Sequence, residues 1–232
     1  MVTMNGVTLT EEQLHKTKRI VVVSLAADSV TYYRQLPSVV QRTANVSSWQ
    51  LDAQFADRFA NGVSSALSIA AVPYNGERRS ELGKVYESDA RLRANRFNWE
   101  GIKAPIEAIA NETKSDLVLL LLKDSFQDPT ARFRFETRGL ALSDNSATCV
   151  AFAHMTLIAL IPGQAKPVAG ANVYVTNTDG RIVSSMRRVP EAACRTNLDE
   201  WSIGLQESLR KVYLEIISER MAKETSWRLA PF

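Results

Sequence analysis

Two short stretches of the chain are continuously apolar. Residues 19–25 read RIVVVSL and residues 116–122 read DLVLLLL, without the regular alternation of polar positions that marks a half-exposed strand. Such runs of branched aliphatic residues are typical of β-strands that are covered on both faces of a sheet. We therefore predict that these two segments are neighbouring central strands of one sheet.

Three other segments repeat their apolar residues at helical spacing, with polar residues between them. This pattern predicts amphipathic helices over residues 49–67, 99–112 and 201–221. Asp52 and Asp57 fall between the apolar positions of the first helix, so we expect both to be solvated surface charges. The side chains predicted to cap the three helices are Ser47 or Ser48, Asn98, and Thr196 or Asn197.

After residue 130 the apolar positions follow a period of two, which is typical of strands. This part of the chain is predicted to form strands over residues 131–138, 147–161, 171–176 and 182–189, with a tight turn at Thr178-Asp179-Gly180-Arg181.

No repeat or linker divides the chain. Residues up to 18 are polar and aperiodic, so we expect residues 1–18 to be a flexible N-terminal arm. Residues 19–232 are predicted to form a single α/β domain with a mixed β-sheet, a strand meander and helices packed on it.

Composition excludes several classes of protein. Hydrophobic residues make up 45% of the chain and charged residues 23%, as in ordinary globular proteins and unlike disordered, fibrous or multi-span membrane chains. The net charge of +3 is not gathered into one strongly basic patch, and we predict no nucleic-acid partner. The most apolar stretch, residues 147–161, is too short to span a bilayer as a helix, so no transmembrane segment is predicted.

Cysteine and histidine are scarce. Cys149, Cys194, His15 and His154 match no metal-binding spacing, so no metal site and no cofactor are predicted. Two free thiols is the preferred interpretation of the cysteines, and a Cys149–Cys194 disulfide stays open if the protein is exported. The first residues lack the pattern of a signal peptide. The location is therefore cytoplasmic if this N-terminus is native, and periplasm or cell envelope if a leader was removed.

The clearest local motif follows the first apolar strand, at Ala27-Asp28-Ser29-Val30. It is similar to the Gly-Asp-Ser-Leu motif of lipases and esterases, where the serine is the nucleophile. Such a nucleophile needs a base, and no histidine follows His154, which is predicted to be a core residue of a strand. A serine hydrolase using Ser29 is therefore the alternative hypothesis, and no catalytic residue is assigned.

Residues 26–48 are predicted to be a long loop, and such loops often carry function. Adjacent tyrosines in an extended loop point to opposite sides, so we expect one of Tyr32 and Tyr33 to be exposed. The candidate binding residues are Asp28, Ser29, Tyr32, Tyr33 and Arg34. In the alternative, both tyrosines fold over the core and the loop only caps the sheet.

Four segments in this order carry a resemblance to a known family. They are RIVVVSL, FADRFANGVSSAL, KSDLVLLLL and NVYVTNTDGRIVSS, the last of which precedes the final helix. Over residues 18–222 the chain resembles the α/β domain of bacterial cell-envelope lipoproteins, namely the curli-export lipoprotein family and its relatives in outer-membrane assembly. VVVSLAAD and the downstream SSWQLD also resemble a group of uncharacterised proteobacterial proteins.

The resemblance implies a non-enzymatic scaffold or partner-binding role at the bacterial cell envelope, with protein partners among the envelope components. The chain lacks the lipid-bearing N-terminal cysteine and the membrane-inserting hairpins of those lipoproteins, so the resemblance does not imply pore formation.

Overall fold

The structure is a computed structural model that describes residues 11–34, 40–88, 99–123, 125–126, 137–144, 148–164, 169–172 and 187–228. The helices are α1 (Glu11–Lys16), α2 (Leu51–Leu67), α3 (Arg78–Ser88), α4 (Trp99–Thr113), α5 (Ala192–Arg195) and α6 (Ile203–Arg228). The strands are β1 (Arg19–Leu25), β2 (Ser29–Arg34), β3 (Val40–Asn45), β4 (Ala70–Pro73), β5 (Leu117–Lys123), β6 (Ser125–Phe126), β7 (Thr137–Asp144), β8 (Cys149–Leu160), β9 (Ala169–Asn172) and β10 (Arg187–Val189). Short 3₁₀ turns cover Ser47–Trp49 and Leu198–Glu200.

The described strands form one mixed sheet in the order β3-β2-β7-β8-β5-β1-β4, and β6, β9 and β10 add to β7 and β8. Strand β1 runs parallel to β4 and β5, and β2 runs parallel to β7. The remaining pairs along this order are antiparallel. The chain is therefore a single α/β domain with a mixed sheet and helices packed on it, as predicted.

The two continuously apolar segments are central neighbours. Strands β1 and β5 pair in parallel with Val22 opposite Leu119, and both lie inside the sheet. Their side chains from Ile20 to Val23 and from Leu117 to Leu121 are fully buried. Burial on both faces removes any place for a polar side chain, which explains why these runs are uninterrupted.

Helices cover both faces of this part of the sheet. One face packs against α2 and α6 through residues such as Phe55, Phe59 and Leu209. The opposite face packs against α3 and α4, through Leu82 and Ile106. The predicted apolar stripe of the last helix is confirmed where its side chains are described, from Trp201 to Ile217. Within the described residues, no helix combines the length and the apolar character needed to cross a membrane.

The prediction that residues 26–48 form a loop is wrong for most of this segment. Strands β2 and β3 form an antiparallel hairpin with Tyr32 opposite Arg42. The buried positions of β2 include Thr31 beside the tyrosines, so this strand shows neither an apolar run nor a clean alternation. Residues 35–39 lie outside the described residues.

Other local predictions also need correction. Strand β4 and helix α3 were not predicted. Helix α2 begins after Gln50 without a side-chain cap, so neither Ser47 nor Ser48 caps it. The 3₁₀ turn after Asn197 likewise has no side-chain cap. Residues 131–136 and the turn at 178–181 lie outside the described residues.

The first eighteen residues are described only from residue 11. Residues 11–16 form a helix rather than an irregular segment, and Leu14 packs against the core. Thr17 is buried at the entrance to β1. The flexibility of residues 1–18 as an arm stays a prediction.

The cysteines form a disulfide, contrary to the preferred interpretation of two free thiols. Cys149 begins β8 and Cys194 lies in α5, with Cα atoms 5.8 Å apart and a sequence separation of 45 residues. Both are buried. The spacing of the cysteines in sequence did not reveal this pairing. The two residues come together because β10 pairs with β8 and α5 follows β10, which places α5 at the start of β8.

Candidate functional site

A polar cleft of about 790 Å³ opens beyond the carboxyl ends of β1 and β4, between the first turn of α2 and the length of α3. Ligands of open α/β sheets bind in this position, where helices from opposite faces of the sheet leave a crevice. The lining residues are Leu25, Asp28, Asn45, Ser47, Gln50, Asp52, Ala53, Asn75, Gly76, Glu77, Arg79, Ser80, Gly83, Lys84, Tyr86 and Glu87.

Asp52 anchors the end of β1 from the first turn of α2. Its Oδ1 accepts hydrogen bonds from Ser24 Oγ at 2.6 Å and from the backbone N–H groups of Ala26 at 2.8 Å and Ala27 at 3.0 Å. A buried carboxylate needs such donors, because they replace the water that it loses. The Asp52 side chain therefore helps to hold the turn that leads from β1 into β2.

The second oxygen of Asp52 lies toward Arg79 of α3. Oδ2 is 3.8 Å from Arg79 Nη2, which is an ion pair without hydrogen-bond contact. The Asp52 side chain is 6% exposed. Burial raises the pKa of Asp52 above its ordinary value, although the Ser24 hydrogen bond and the Arg79 charge lower it. The cleft thus holds a fixed carboxylate beside a partly exposed guanidinium.

Lys123 ties the β1–β2 turn to α3 at another side of the cleft. Its Nζ is 2.6 Å from Asp28 Oδ1 and 3.0 Å from Glu87 Oε1. Burial lowers the pKa of Lys123, but the hydrogen bonds and charges of Asp28 and Glu87 outweigh burial and raise it. The ammonium stays charged and joins two carboxylates that line the cleft.

The loop from β4 to α3 is held in place by contacts with Glu112 of α4. Tyr74 Oη donates a hydrogen bond to Glu112 Oε2 at 2.7 Å, and Arg78 pairs with the other oxygen of Glu112. Burial, together with Glu112, raises the pKa of Tyr74 to about 12. A Cβ at Gly76 would lie 2.6 Å from Tyr74 Oη, so this position of the cleft wall requires glycine.

The predicted binding residues are only partly brought together. Asp28 lines the cleft, and Ser29 is half-buried at the start of β2. Arg34 is half-buried at the far end of β2, opposite Asp144 of β7. A binding role for this set stays a prediction.

The expectation that one of the two tyrosines is exposed is wrong. Tyr32 is 5% exposed and Tyr33 is 8% exposed. Because they are consecutive in a strand they point to opposite faces, and both faces are covered. The Tyr32 hydroxyl donates to Asp144 Oδ2 at 3.3 Å, and the Tyr33 ring packs edge-on against Phe152.

Ser29 and His154 do not form a catalytic pair. Strand β2 pairs with β7 at Val30, and Gly139 of β7 pairs with His154 of β8, so a whole strand separates Ser29 from His154. This separation is roughly 10 Å at the usual spacing of strands. The space above Gly139 is filled, because a Cβ there would lie 2.7 Å from the Ala26 carbonyl oxygen. The described residues therefore give the serine-hydrolase alternative no support.

His154 is a core residue, as predicted. It is fully buried in β8, and its ring packs edge-on against Phe152. Burial lowers the pKa of His154 to about 3, so the side chain is neutral at physiological pH.

Sequence reasoning missed the main residues of the cleft. Asp52 was expected to be solvated, but it is buried, whereas Asp57 on the same helix is exposed as expected. Arg79 lies in helix α3, which was not predicted. The helical pattern places Asp52 next to the buried Leu51 and Phe55, and this proximity to the apolar stripe was the available signal. Among the described residues, no cluster of three or more His, Cys, Asp or Glu could hold a metal ion.

The fold and the cleft define a mixed α/β domain with a polar crevice at the carboxyl ends of its parallel strands. No protein-family model matches the chain. No curated protein sequence matches it either.

Two solved structures resemble the domain at low similarity. A PelC dodecamer from Paraburkholderia phytofirmans has 10% sequence identity and a TM-score of 0.33, over 88% of this chain and 85% of that chain. A hypothetical protein from Chlamydia trachomatis has 10% identity and a TM-score of 0.36, over 90% of this chain and 97% of that chain. At these scores the likeness carries no conclusion about the function of this chain.

Proposed function

We propose that this chain is a non-enzymatic protein-binding module of the bacterial cell envelope. The observation that carries the proposal is the buried disulfide between Cys149 and Cys194. Disulfides persist in the periplasm and at cell surfaces and are rare in the cytoplasm, where thiols are kept reduced. An oxidising compartment outside the bacterial cytoplasm is the location that fits this bond, and the lipoprotein resemblance of the sequence names the envelope.

The binding role is supported by the cleft. Asp52 and Lys123 fix two sides of the cleft through buried hydrogen bonds and ion pairs. Rigid walls favour binding, because little conformational entropy is lost when a partner is bound. Asp28 is the member of the predicted binding set that lines this cleft, so the proposed partner contact includes it.

A first experiment tests the compartment through the redox state of the cysteines. The chain is expressed from its own gene in the source bacterium, the cells are quenched with acid, and free thiols are tagged with maleimide-polyethylene glycol. We expect no gel shift before chemical reduction and a shift of two tags after it. The Cys194→Ser variant is the control and should carry one tag without reduction. Two tags on the unreduced wild-type chain would contradict the proposal.

A second experiment tests binding. Photo-crosslinkers are placed in living cells at Ser80, Asp57 and Glu207, which are exposed on three different helices. We expect at least one position to give a discrete crosslinked protein of the envelope fraction. If every position gives none, or gives only cytoplasmic proteins, the proposed function is wrong.

A further inference from the structure

We propose that the cleft binds an extended peptide segment of the partner, and that Asp52 and Arg79 together hold the backbone N–H and carbonyl of one residue of that segment. This inference rests on the proposed protein-binding function and names the chemistry of the partner.

The first argument is the fixed orientation of the Asp52 carboxylate. Three donors hold Oδ1, so the group cannot rotate without breaking those bonds. Oδ2 is consequently fixed toward the cleft, where Arg79 Nη2 lies 3.8 Å from it. This distance is beyond hydrogen-bond contact, so Oδ2 retains acceptor capacity toward a ligand.

The second argument is the neighbouring opposite charge. A cationic ligand at Oδ2 would be repelled by Arg79, and an anionic ligand at Arg79 would be repelled by Asp52. A neutral group with a donor and an acceptor close together avoids both costs. One residue of an extended peptide has this arrangement, because its N–H and its carbonyl point to the same side of the strand. The N–H can donate to Asp52 Oδ2 and the carbonyl can accept from Arg79, which is partly exposed.

Other polar residues that line the cleft can form hydrogen bonds with further groups along the bound peptide. Asn45, Gln50 and Asn75 carry amides, and Ser47 and Ser80 carry hydroxyls, so all five side chains can both donate and accept. An extended peptide presents alternating donors and acceptors that must stay paired when water is displaced. The volume of about 790 Å³ lies in the usual range of ligand sites.

The lining favours a peptide over a saccharide. Tyr86 is the aromatic residue among the described residues of the cleft, and it is only 5% exposed. Its hydroxyl donates to the Lys123 carbonyl, which holds the ring in place. No open aromatic face is thus present in the described lining for stacking against the apolar face of a sugar ring.

The test uses the purified ¹⁵N-labelled chain and NMR titration. The probe is the capped peptide acetyl-Ala-Ser-Ala-Ala-Ser-Ala-amide, alongside versions with one lysine or one glutamate. We expect saturable shifts of the backbone amides of Ala53, Gly76 and Ser80, with the three peptides binding within about threefold of one another because a neutral group is held. No saturable shift up to about 10 mM of any peptide would overturn the inference.

The decisive variant is Asp52→Asn. Asparagine keeps an acceptor for Ser24, Ala26 and Ala27 but turns the cleft-facing oxygen into a donor. We expect at least about tenfold weaker peptide binding, which corresponds to about 1.4 kcal/mol. Asp57→Asn is the matched control, because Asp57 is exposed on the same helix, and it should bind as the wild type does. Equal binding by Asp52→Asn and wild type would overturn the inference.

Arg79→Gln gives an independent result if Asp52→Asn does not fold. Arg79 is on the surface of α3, and its replacement should weaken peptide binding by a similar factor while the spectrum stays that of a folded domain. Unchanged binding would contradict the role of Arg79. Maltohexaose is titrated in parallel, and shifts of the cleft amides by this sugar without shifts by the peptides would overturn the inference.

Failure of this inference is separable from failure of the proposed function. If the thiol and crosslinking experiments succeed while peptides do not bind the cleft, the chain binds its partner through another surface. If the crosslinking experiment fails as well, the binding function itself is wrong.

Discussion

The two halves of the sheet differ in how their side chains are covered. Strands β5, β1 and β4 are parallel and pack between α2 on one face and α3 and α4 on the other. Strands β3, β2, β7 and β8 form a mixed half in which buried side chains include Thr31, Ser143 and His154. In the first half apolar side chains fill nearly every central position, whereas the second half holds polar groups in its interior.

This difference shows where function can be placed. In the mainly apolar half Ser24 is buried inside the sheet, and other polar groups gather just beyond the strand ends, at Asp52, Asp28 and Arg79. The cleft lies where β1 leaves the parallel half and turns toward β2 of the mixed half. The boundary between the halves is therefore both a structural junction and the candidate site.

The largest effect that we expect tests whether the two halves are one cooperative unit. Leu120→Ala in β5 and Leu142→Ala in β7 each remove a fully buried leucine, and each should lower the free energy of unfolding by about 2–5 kcal/mol. Urea unfolding followed by circular dichroism measures both. Ser65→Ala on the exposed side of α2 is the control and should stay within about 0.5 kcal/mol. A loss below about 0.5 kcal/mol for Leu142→Ala, or two separate transitions, would break the comparison.

A smaller effect is expected from the disulfide, which lies in the mixed half. It closes a loop between residues 45 apart, so the Cys149→Ser, Cys194→Ser double variant should be destabilised by about 2–4 kcal/mol. Hydrogen exchange should accelerate in β8 and α5 more than in β1 and β5. The wild type under reducing conditions is the control and should behave like the variant. Equal acceleration in both halves would show that the bond does not act locally.

The smallest effect concerns His154, whose folded pKa of about 3 lies below the ordinary value of 6.5. Below pH 6.5 the unfolded chain binds a proton that the folded chain does not, so stability falls as the pH is lowered from 6.5 toward 3. Between pH 6.5 and about pH 5 this loss should be about 2 kcal/mol. His154→Gln should flatten this part of the pH profile, whereas His15→Gln, at an exposed position on α1, should leave it unchanged. An unchanged profile in His154→Gln would mean that another group dominates acid unfolding.

The parallel half of the sheet could be predicted from the sequence because its hydrophobic pattern is visible within a few consecutive residues. An uninterrupted apolar run such as residues 19–25 has one economical explanation, burial on both faces, and the neighbouring strand at Leu117–Lys123 carries the same signature. Helices α2, α4 and α6 were likewise visible, since an apolar stripe at helical spacing needs no knowledge of its partner. Strand β2 was missed because Thr31 interrupts its apolar residues and reads as loop.

The candidate site was much less accessible. Asp28 was predicted from its place after a buried strand, and the structure brings it to the cleft. The burial of Asp52 depends on β1 reaching the first turn of α2, 28 residues later in sequence than Ser24. Arg79 meets Asp52 only because α3 packs on the other side of the same strand end. No local sequence pattern indicates such contacts between residues that are distant in sequence.

The sequence by itself thus determined which segments are buried on two faces, which helices have one apolar side, and that the domain is of the mixed α/β class. Those properties follow from hydrophobic periodicity, which acts over a few residues. Only the tertiary structure showed that Cys149 is bonded to Cys194, that both tyrosines are buried, and that Asp52 pairs with Arg79 in the cleft. These are contacts between distant parts of the chain, and they are selected by the packing of whole elements rather than by any single stretch of residues.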